Sequence, residues 1–523
     1  MANAEIARLP TAPSGVSAWT LSNFHIFSLT ALLFLAPNAL FAATALRPLP
    51  AAVVLAGCGG VGVILWRLRQ ASGVLSAPID PARLALSLSL ALALCLLGGE
   101  GHFFFSTWDW LTRDAVLADL VQKGPLAFYH YEGRDYVLRA PLGMYLLPAA
   151  LGRLWGLFAA HIALLLQNSA IFGLILYLAA HIAKVRAAPF LLVFVFFGGL
   201  DILGFLAAQL AGRVTNPQAE WWSGSFAPEV VLQYSSFITQ LFWVPNHAAP
   251  GWWLALLVLL RARGEIGFSK LLACCAPLAL WSPLALLGAV PLVAFLALRT
   301  TWRDLFSAAT LRAAATGLCF LPIALYLVTD GGAITHGWQV FNDGFAWIYP
   351  FFLLIEIPQA AILIYAWRKL DPVDRGPLVV ALLTLALLPL YAFGPGNDLA
   401  MRASIPALVL LAFSFARIAV STPRDDSAFP TAISVIVLIS AANPVMEIKR
   451  ALILDEYRIS GCNLLTSWQS VRLLPLPTNY LARIEKIPPW LMSADGAQAP
   501  LRLEFLDCWP DHPDRAWLRG DQG

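Results

Sequence analysis

The sequence predicts an all-α fold, a polytopic transmembrane helical bundle, and three observations carry that reading. Of 523 residues, 59% are apolar and only 12% are charged, about half the charge density of a soluble domain. The mean hydropathy is +0.71. Apolar stretches of roughly 15 to 25 residues recur between short charged clusters, the length at which a helix crosses a bilayer core. A net charge of +3 from scattered Lys and Arg excludes an electrostatic footprint on nucleic acid.

In chain order the apolar segments fall at about 24–46, 49–66, 84–98, 157–181, 189–210, 250–260, 271–298, 312–328, 348–367, 377–394, 403–416 and 427–446, which makes about 11 to 13 spans or half-spans. The first has only Arg8 ahead of it and outruns a signal-peptide core. Despite Ala43-Thr44-Ala45 it reads as an uncleaved span. Pro277, Pro283 and Pro291 interrupt 271–298. Because an interior proline removes a backbone bond and kinks a helix, this segment is expected to be a broken hairpin of half-helices.

Orientation follows from the basic residues. A cytoplasmic N-terminus puts Arg67, Arg69 and Arg83, Lys184 and Arg186, Arg261, Arg263 and Lys270, Arg299, Arg303 and Arg312, Arg368, Lys369 and Arg375, and Arg417 and Arg424 on one side. The opposite loops hold only Arg47, Arg113, Lys123, Arg134, Arg139, Arg153, Arg213 and Arg402 over a greater length, as the positive-inside rule requires. The external loops are then 101–156, 211–249, 329–347 and 395–402. Residues 1–446 form the transmembrane domain, and 447–523 an extracytoplasmic tail. Cys58, Cys95, Cys274, Cys275 and Cys319 lie in apolar spans, whereas Cys462 and Cys508 lie in the polar tail. On that oxidising side the two are expected to pair. Leu473-Leu474-Pro475-Leu476-Pro477 is short and Pro-interrupted, so the tail reads as a small irregular domain packed on the external loops.

Polar residues are sparse in a membrane protein, so their gathering places are informative. The densest group follows the third span: Glu100-Gly101-His102, then Trp108-Asp109-Trp110-Leu111-Thr112-Arg113-Asp114, then Asp119. Helical spacing lets Asp109, Arg113 and Asp114 share a face while Leu117 and Leu120 pack inward. The stretch from Arg139 through Tyr145 to Pro148 is too short to span and reads as an interfacial helix. The second loop carries Glu220-Trp221-Trp222, Gln233, Gln240 and Trp243-Val244-Pro245-Asn246-His247. Its rings and amides suit sugar faces and hydroxyls, although Trp residues also form interfacial belts. In the fourth loop a Gly/Pro turn delivers Asp398 and Arg402 to the membrane surface, where an Arg fork matches phosphate oxygens or simply pairs with Asp398. Asp201 and Glu356 are acids inside spans. Each is either functional or a partner for backbone freed at a kink.

No H-x-x-H, H-E-x-x-H or C-x-x-C pattern occurs among the eight His and seven Cys, so no dedicated metal site is indicated. No cofactor motif is present either. A hard divalent cation held by Asp109 or Asp114 with a donor phosphate is compatible with the acidic loop. The chain lacks a P-loop and a Rossmann fingerprint, so a sugar donor would be lipid-linked rather than a nucleotide.

The acidic loop Trp108 to Leu120, the stretch Pro141 to Leu151 and the many short, kinked spans resemble the C-type glycosyltransferase superfamily, polytopic enzymes that use polyprenyl-phosphate sugars on the extracytoplasmic face. The chain is also similar to bacterial membrane proteins that combine such an aspartate-bearing loop with segments like Leu241 to His247 and Asn397 to Arg402. It departs from the superfamily pattern in placing the acidic loop after the third span, which two added N-terminal helices would explain. It also has no paired Asp-Glu or Asp-x-Asp signature. The resemblance implies an enzyme of a bacterial inner membrane whose partners are membrane lipid, a polyprenyl-phosphate-linked donor and a glycan, lipid or protein acceptor. It further implies a base that deprotonates the acceptor and a cation that steadies the leaving phosphate. Asp109 is the expected base, flanked by Trp108 and Trp110 that could dehydrate it, with Asp114 in reserve. Arg402 would hold the donor phosphate, assisted by His247 or Arg139, with Asn246, Trp243, Tyr145 and His102 lining the site. A transporter or flippase using Asp201 and Glu356, or a non-catalytic assembly protein, are the competing readings. The first would often show duplicated halves, and no internal repeat is evident.

Overall fold

The computed structural model describes residues 21–66, 73–213, 218–394, 396–423, 428–470, 476–492 and 499–512. Arg8, Arg67, Arg69, Pro395, Arg424 and Leu473-Leu474-Pro475 lie outside the described residues.

Two apolar helices, α1 (Asn23–Ala45) and α2 (Pro48–Trp66), are each long enough to cross a membrane. α3 (Pro81–Leu97) begins behind Asp80, whose carboxylate accepts from the Arg83 amide at 3.0 Å. Such caps satisfy amides that the first helical turn leaves open. A polar layer follows, made of α4 (Asp109–Lys123), the hairpin β1 (Phe128–Tyr131) and β2 (Arg134–Leu138), and the short α5 (Leu146–Trp155). The helix expected over 139–148 therefore starts later, at Leu146. Residues 141–145 are held as turn because the Gly143 amide donates to the Leu280 carbonyl and Trp281 packs on Gly143.

α6 (Leu157–Ala183) returns through the bundle. The predicted single segment 189–210 is two helices, α7 (Ala187–Val195) and α8 (Asp201–Leu210), broken around Gly198 and Gly199. The freed backbone groups are recaptured: the Leu200 amide donates to Ile355 O at 2.6 Å, and Gly198 O accepts from Gln359 Nε2 at 2.7 Å. Broken helices persist inside a bilayer only when protein satisfies them in this way. Next come α9 (Trp222–Phe226), α10 (Phe237–Trp243) and α11 (Pro245–Ala262), the last almost wholly buried. α12 (Phe268–Cys275) and α13 (Pro283–Leu298) are separated by a turn containing Pro277 and a Ser282 cap, so 271–298 is two half-helices.

The chain continues through α14 (Trp302–Leu305), α15 (Ala308–Leu318), α16 (Leu321–Val328) and β3 (His336–Trp338). α17 (Phe345–Glu356) and α18 (Gln359–Tyr365) form a pair bent by 67° at Pro358. After them lie α19 (Pro372–Leu387), β4 (Tyr391–Phe393), α20 (Asp398–Ala403), α21 (Ile405–Ser421), α22 (Ala428–Ser440) and α23 (Ala442–Ile453). Six helices among the described residues are long and apolar enough to cross a membrane, or seven with the bent pair, and shorter apolar helices fill the bundle between them. The chain is an all-α, multi-pass membrane protein.

The last elements are α24 (Leu464–Ser470), β5 (Leu481–Arg483) and β6 (Leu501–Arg502). They build onto the polar layer. β5 adds to β2 antiparallel and β6 to β1 parallel, giving the order β5-β2-β1-β6. Cys462 and Cys508 are joined by a disulfide, with Cα atoms 5.9 Å apart. The Asp119 carboxylate knits α4 to both neighbours by accepting from Tyr129 Oη at 2.6 Å and the Leu464 amide at 2.9 Å. Burial pushes its pKa up to about 7, partly offset by those two hydrogen bonds. An acid whose folded pKa is raised holds its proton more tightly when folded, so its stabilisation is present below the unfolded value of about 4 and fades as pH rises through about 7. Detergent-solubilised protein should therefore lose on the order of a few kcal/mol of stability between those limits, seen as a falling melting temperature. Asp119→Asn should flatten the trend, and an unchanged pH profile would remove the assignment.

One close approach positions the site below. A Cβ added to Gly288 of α13 would fall on the carbonyl oxygen of Ala403 at the end of α20. Backbone cannot yield there as a side-chain tip could, and overpacking typically costs about 1–3 kcal/mol. Gly288→Ala should lower the melting temperature and, because α20 carries Asp398 and Arg402, reduce activity further than its stability loss alone accounts for.

Candidate functional site

The site is assembled from α4, α20, the start of α11 and the tail. On α4, Asp109 and Arg113 are one turn apart and paired, Nη2 to Oδ2 at 3.2 Å. Trp110 turns inward and donates from Nε1 to Phe242 O at 2.8 Å, fixing the helix against α10. Trp108 meets Trp243 edge-to-face at 6.2 Å. What faces Asp109 is thus a guanidinium, where the sequence suggested flanking indoles. The Asp109 side chain is 26% exposed while that of Arg113 is 4% exposed. Nε and Nη1 of Arg113 are buried without a hydrogen-bond partner among the described residues. A permanently charged group with unmet donors in a dry setting is poised for an anion.

The opposing wall is α20. Asn397 adopts a left-handed conformation, φ +62°, and caps the helix by accepting from the Ala400 amide at 3.3 Å. Its Nδ2 donates to Val231 O at 3.1 Å, tying the turn to the second loop. Asp398 and Arg402 pair at 2.8 Å, both sparingly exposed. Burial raises the Asp398 pKa and Arg402 opposes it, with Asp109 and Arg113 also within electrostatic reach. Tyr480, from the tail, feels Arg113, Asp109, Arg402 and Asp398. The Tyr145 phenol is pushed up by burial and is within reach of Arg113, Tyr480, Asp114 and Asp109. His247, whose Nδ1 lies 2.7 Å from Ser282 Oγ, is within reach of Arg402 and Arg113.

The fold therefore brings Asp109, Arg402, His247 and Tyr145 into one group, and adds Arg113, Asp398 and Tyr480. Asn246 sits beside His247, buried, with Oδ1 unpartnered among the described residues. Trp243 is a wedge, its Nε1 donating to Glu447 at 2.8 Å and its face covered by Arg450. Arg139 goes elsewhere: its guanidinium donates to the carbonyls of Leu327 and Thr478, stapling the first loop to α16 and the tail. Asp114 and His102 face each other with His161 in a buried cluster behind the site.

Asp201 and Glu356 meet at the double helix break, separate from this group. Glu356 accepts from Trp222 Nε1 at 2.9 Å and the Tyr234 amide at 3.2 Å. Glu220 beside them accepts from Ser236, Thr239, Gln233 and Asn443. All three acids are at most 3% exposed. A concavity of about 590 Å³ lined by Tyr365, Trp367, Lys369, Thr422 and Phe429 lies past the C-terminal end of α21, and none of the candidate-site residues lines it.

No family model matches the chain, and no curated protein matches it. Among solved structures, the chain matches the cryo-EM structure of the arabinofuranosyltransferase AftD from Mycobacteria, at 14% identity and a TM-score of 0.36, over 72% of this chain and 27% of that one. The chain thus spans about a quarter of that protein's length.

Proposed function

We propose that this membrane protein is a glycosyltransferase that moves a sugar from a polyprenyl-phosphate-linked donor to an acceptor on the extracytoplasmic face of a bacterial inner membrane. The observation that carries this reading is the convergence of a reachable carboxylate, Asp109, with two guanidinium groups, Arg113 and Arg402, at the polar edge of an apolar bundle. The acceptor hydroxyl oxygen attacks the anomeric carbon while Asp109 takes its proton. The bond from that carbon to the phosphate oxygen breaks, and polyprenyl phosphate leaves. A diester with one negative charge becomes a monoester that develops a second, so donors on Arg113 and Arg402 bind the transition state more tightly than the ground state. Tyr145, Tyr480 and His247 lie within electrostatic reach of the same charges. The apolar helices shelter the prenyl chain, and the tail, 447–523, completes the site through Tyr480.

The test is direct transfer. Purified protein in lipid nanodiscs is given radiolabelled polyprenyl-phosphate pentoses and hexoses, and release of polyprenyl phosphate is followed with a membrane extract as acceptor source. Donor-dependent release supports the reading. No release, together with no displacement of bound donor by free polyprenyl phosphate, overturns it. The transport reading gains little from Asp201 and Glu356, because both are buried and Glu356 is taken up by Trp222 and the Tyr234 amide.

A further inference from the structure

Behind the candidate site lie three residues from three different elements. His102 stands in the turn after α3, Asp114 on α4 and His161 on α6, with side chains 8%, 2% and 2% exposed. One ligand atom from each lies within 4.8 Å of the others. The rings of His102 and His161 meet edge-to-face at 4.6 Å.

Hydrogen bonding fixes which nitrogen of His102 faces the cluster. His102 Nδ1 lies 3.2 Å from the carbonyl oxygen of Tyr457. A carbonyl only accepts, so Nδ1 carries the hydrogen. In the neutral ring Nε2 is then a bare lone pair, and it faces Asp114 Oδ2 at 3.2 Å. Among the described residues that carboxylate oxygen has no other polar partner, its second oxygen lies 3.9 Å from His161 Nδ1, and His161 makes no hydrogen bond from Nε2. Two bare acceptors this close in a dry pocket repel, so either a proton on His102 Nε2 or a metal ion lies between them. His102 is also held at φ +60°, a left-handed conformation that a non-glycine residue adopts at some cost.

We propose that His102, Asp114 and His161 form a buried site for one divalent transition metal of the zinc class. Two imidazole nitrogens and one carboxylate suit zinc, cobalt or copper, whereas magnesium and calcium favour all-oxygen shells. The Tyr457 carbonyl is the outer partner that fixes the ring of His102 and directs Nε2 inward, a usual arrangement for a ligating His. The bound ion would pin the loop after α3, α4, α6 and, through Tyr457, the tail to one another. Asp114 directly follows Arg113, so the ion would set the rotation of α4 that presents Asp109 and Arg113. It is a positioning site, and it stands whether or not the protein transfers sugars.

The experiment is metal analysis of the full-length protein in detergent, loaded with zinc and then desalted. About one zinc per chain is expected, falling to near background in His102→Ala and His161→Ala that still elute as single species. Cobalt loading should give visible bands of a nitrogen and oxygen site. His161→Cys should retain cobalt and add a near-ultraviolet thiolate-to-cobalt band, which only a true ligand position produces. Chelation should lower the wild-type melting temperature. Wild type that retains no metal after desalting, undiminished zinc in both Ala variants, or cobalt bound by His161→Cys without the new band would each overturn the proposal. If the Ala variants fail to fold, the wild-type metal content and the His161→Cys spectrum decide.

Discussion

Arg113→Gln is expected to lose donor turnover by about 10²–10³-fold, the scale seen when a positioned transition-state donor is removed. Gln is shorter and keeps some hydrogen-bonding capacity but supplies neither the charge nor the planar fork. Arg113→Lys should fall between, because it restores the charge as a point and not as a fork. Stability separates this role from a structural one. Arg113 is buried with two of its nitrogens unpartnered among the described residues, so the native fold already bears an unmet desolvation penalty there. Removing the charge also leaves Asp109 without its ion-pair partner, but Asp109 is 26% exposed, so the melting temperature should change little while activity collapses. A variant that melts much lower and recovers full turnover per folded molecule would show that Arg113 serves the fold instead. Arg402→Gln offers the comparison. Its partner Asp398 at 2.8 Å would be left as an uncompensated acid, so that variant should lose stability as well as rate.

Asp109→Asn is expected to abolish transfer while expression, folding and donor binding persist. The amide occupies the same volume but cannot take a proton from the acceptor, and loss of a general base typically costs about 10²–10⁴-fold. Asp109 contacts Arg113 at 3.2 Å and is partly open to solvent, so little packing is disturbed. The informative split is a large fall in kcat with a near-constant KM for the donor, which marks an interaction made in the transition state. Glycan production at the wild-type level would end the base assignment. An equal loss on Asp114→Asn would not transfer the role, since Asp114 is sealed against His102 and His161.

Much of the architecture is legible without coordinates because bilayer physics acts on composition. A stretch such as 24–46 or 157–181 can be stable only as a helix in lipid, whatever its neighbours are. Pro277, Pro283 and Pro358 mark breaks for equally local reasons. The break at Gly198-Gly199 was less visible. Two glycines permit a bend, but the bend is fixed by Ile355 O and Gln359 reaching across from α17 and α18. The late start of α5 has the same origin, since Trp281 and Leu280 hold Gly143 in a turn.

The candidate site divides in the same way. Asp109, Arg402, His247 and Tyr145 could be singled out because polar residues stand apart in an apolar chain. Arg113 shares a helix face with Asp109 by spacing alone, but its unmet donors are visible only in the fold. Tyr480 carried no signal, because a tail residue is brought to α4 only by β5 pairing with β2. Arg139 resembled a phosphate ligand in sequence, yet its guanidinium ends on two carbonyls. His102, Asp114 and His161 escaped the metal patterns because those patterns describe ligands on one local element, whereas these come from a turn and two helices far apart along the chain.

By itself, then, the sequence determined that the chain crosses a membrane many times as helices and that its chemistry gathers in polar loops, because hydrophobic transfer and backbone hydrogen bonding depend on local composition. The pairs Asp109–Arg113 and Asp398–Arg402 are local, each one turn apart on its own helix, but tertiary structure alone decided that the two pairs and Tyr480 lie within electrostatic reach of one another. The approach of α4, α20 and the tail depends on how separately specified helices pack, and no single stretch of chain contains that information.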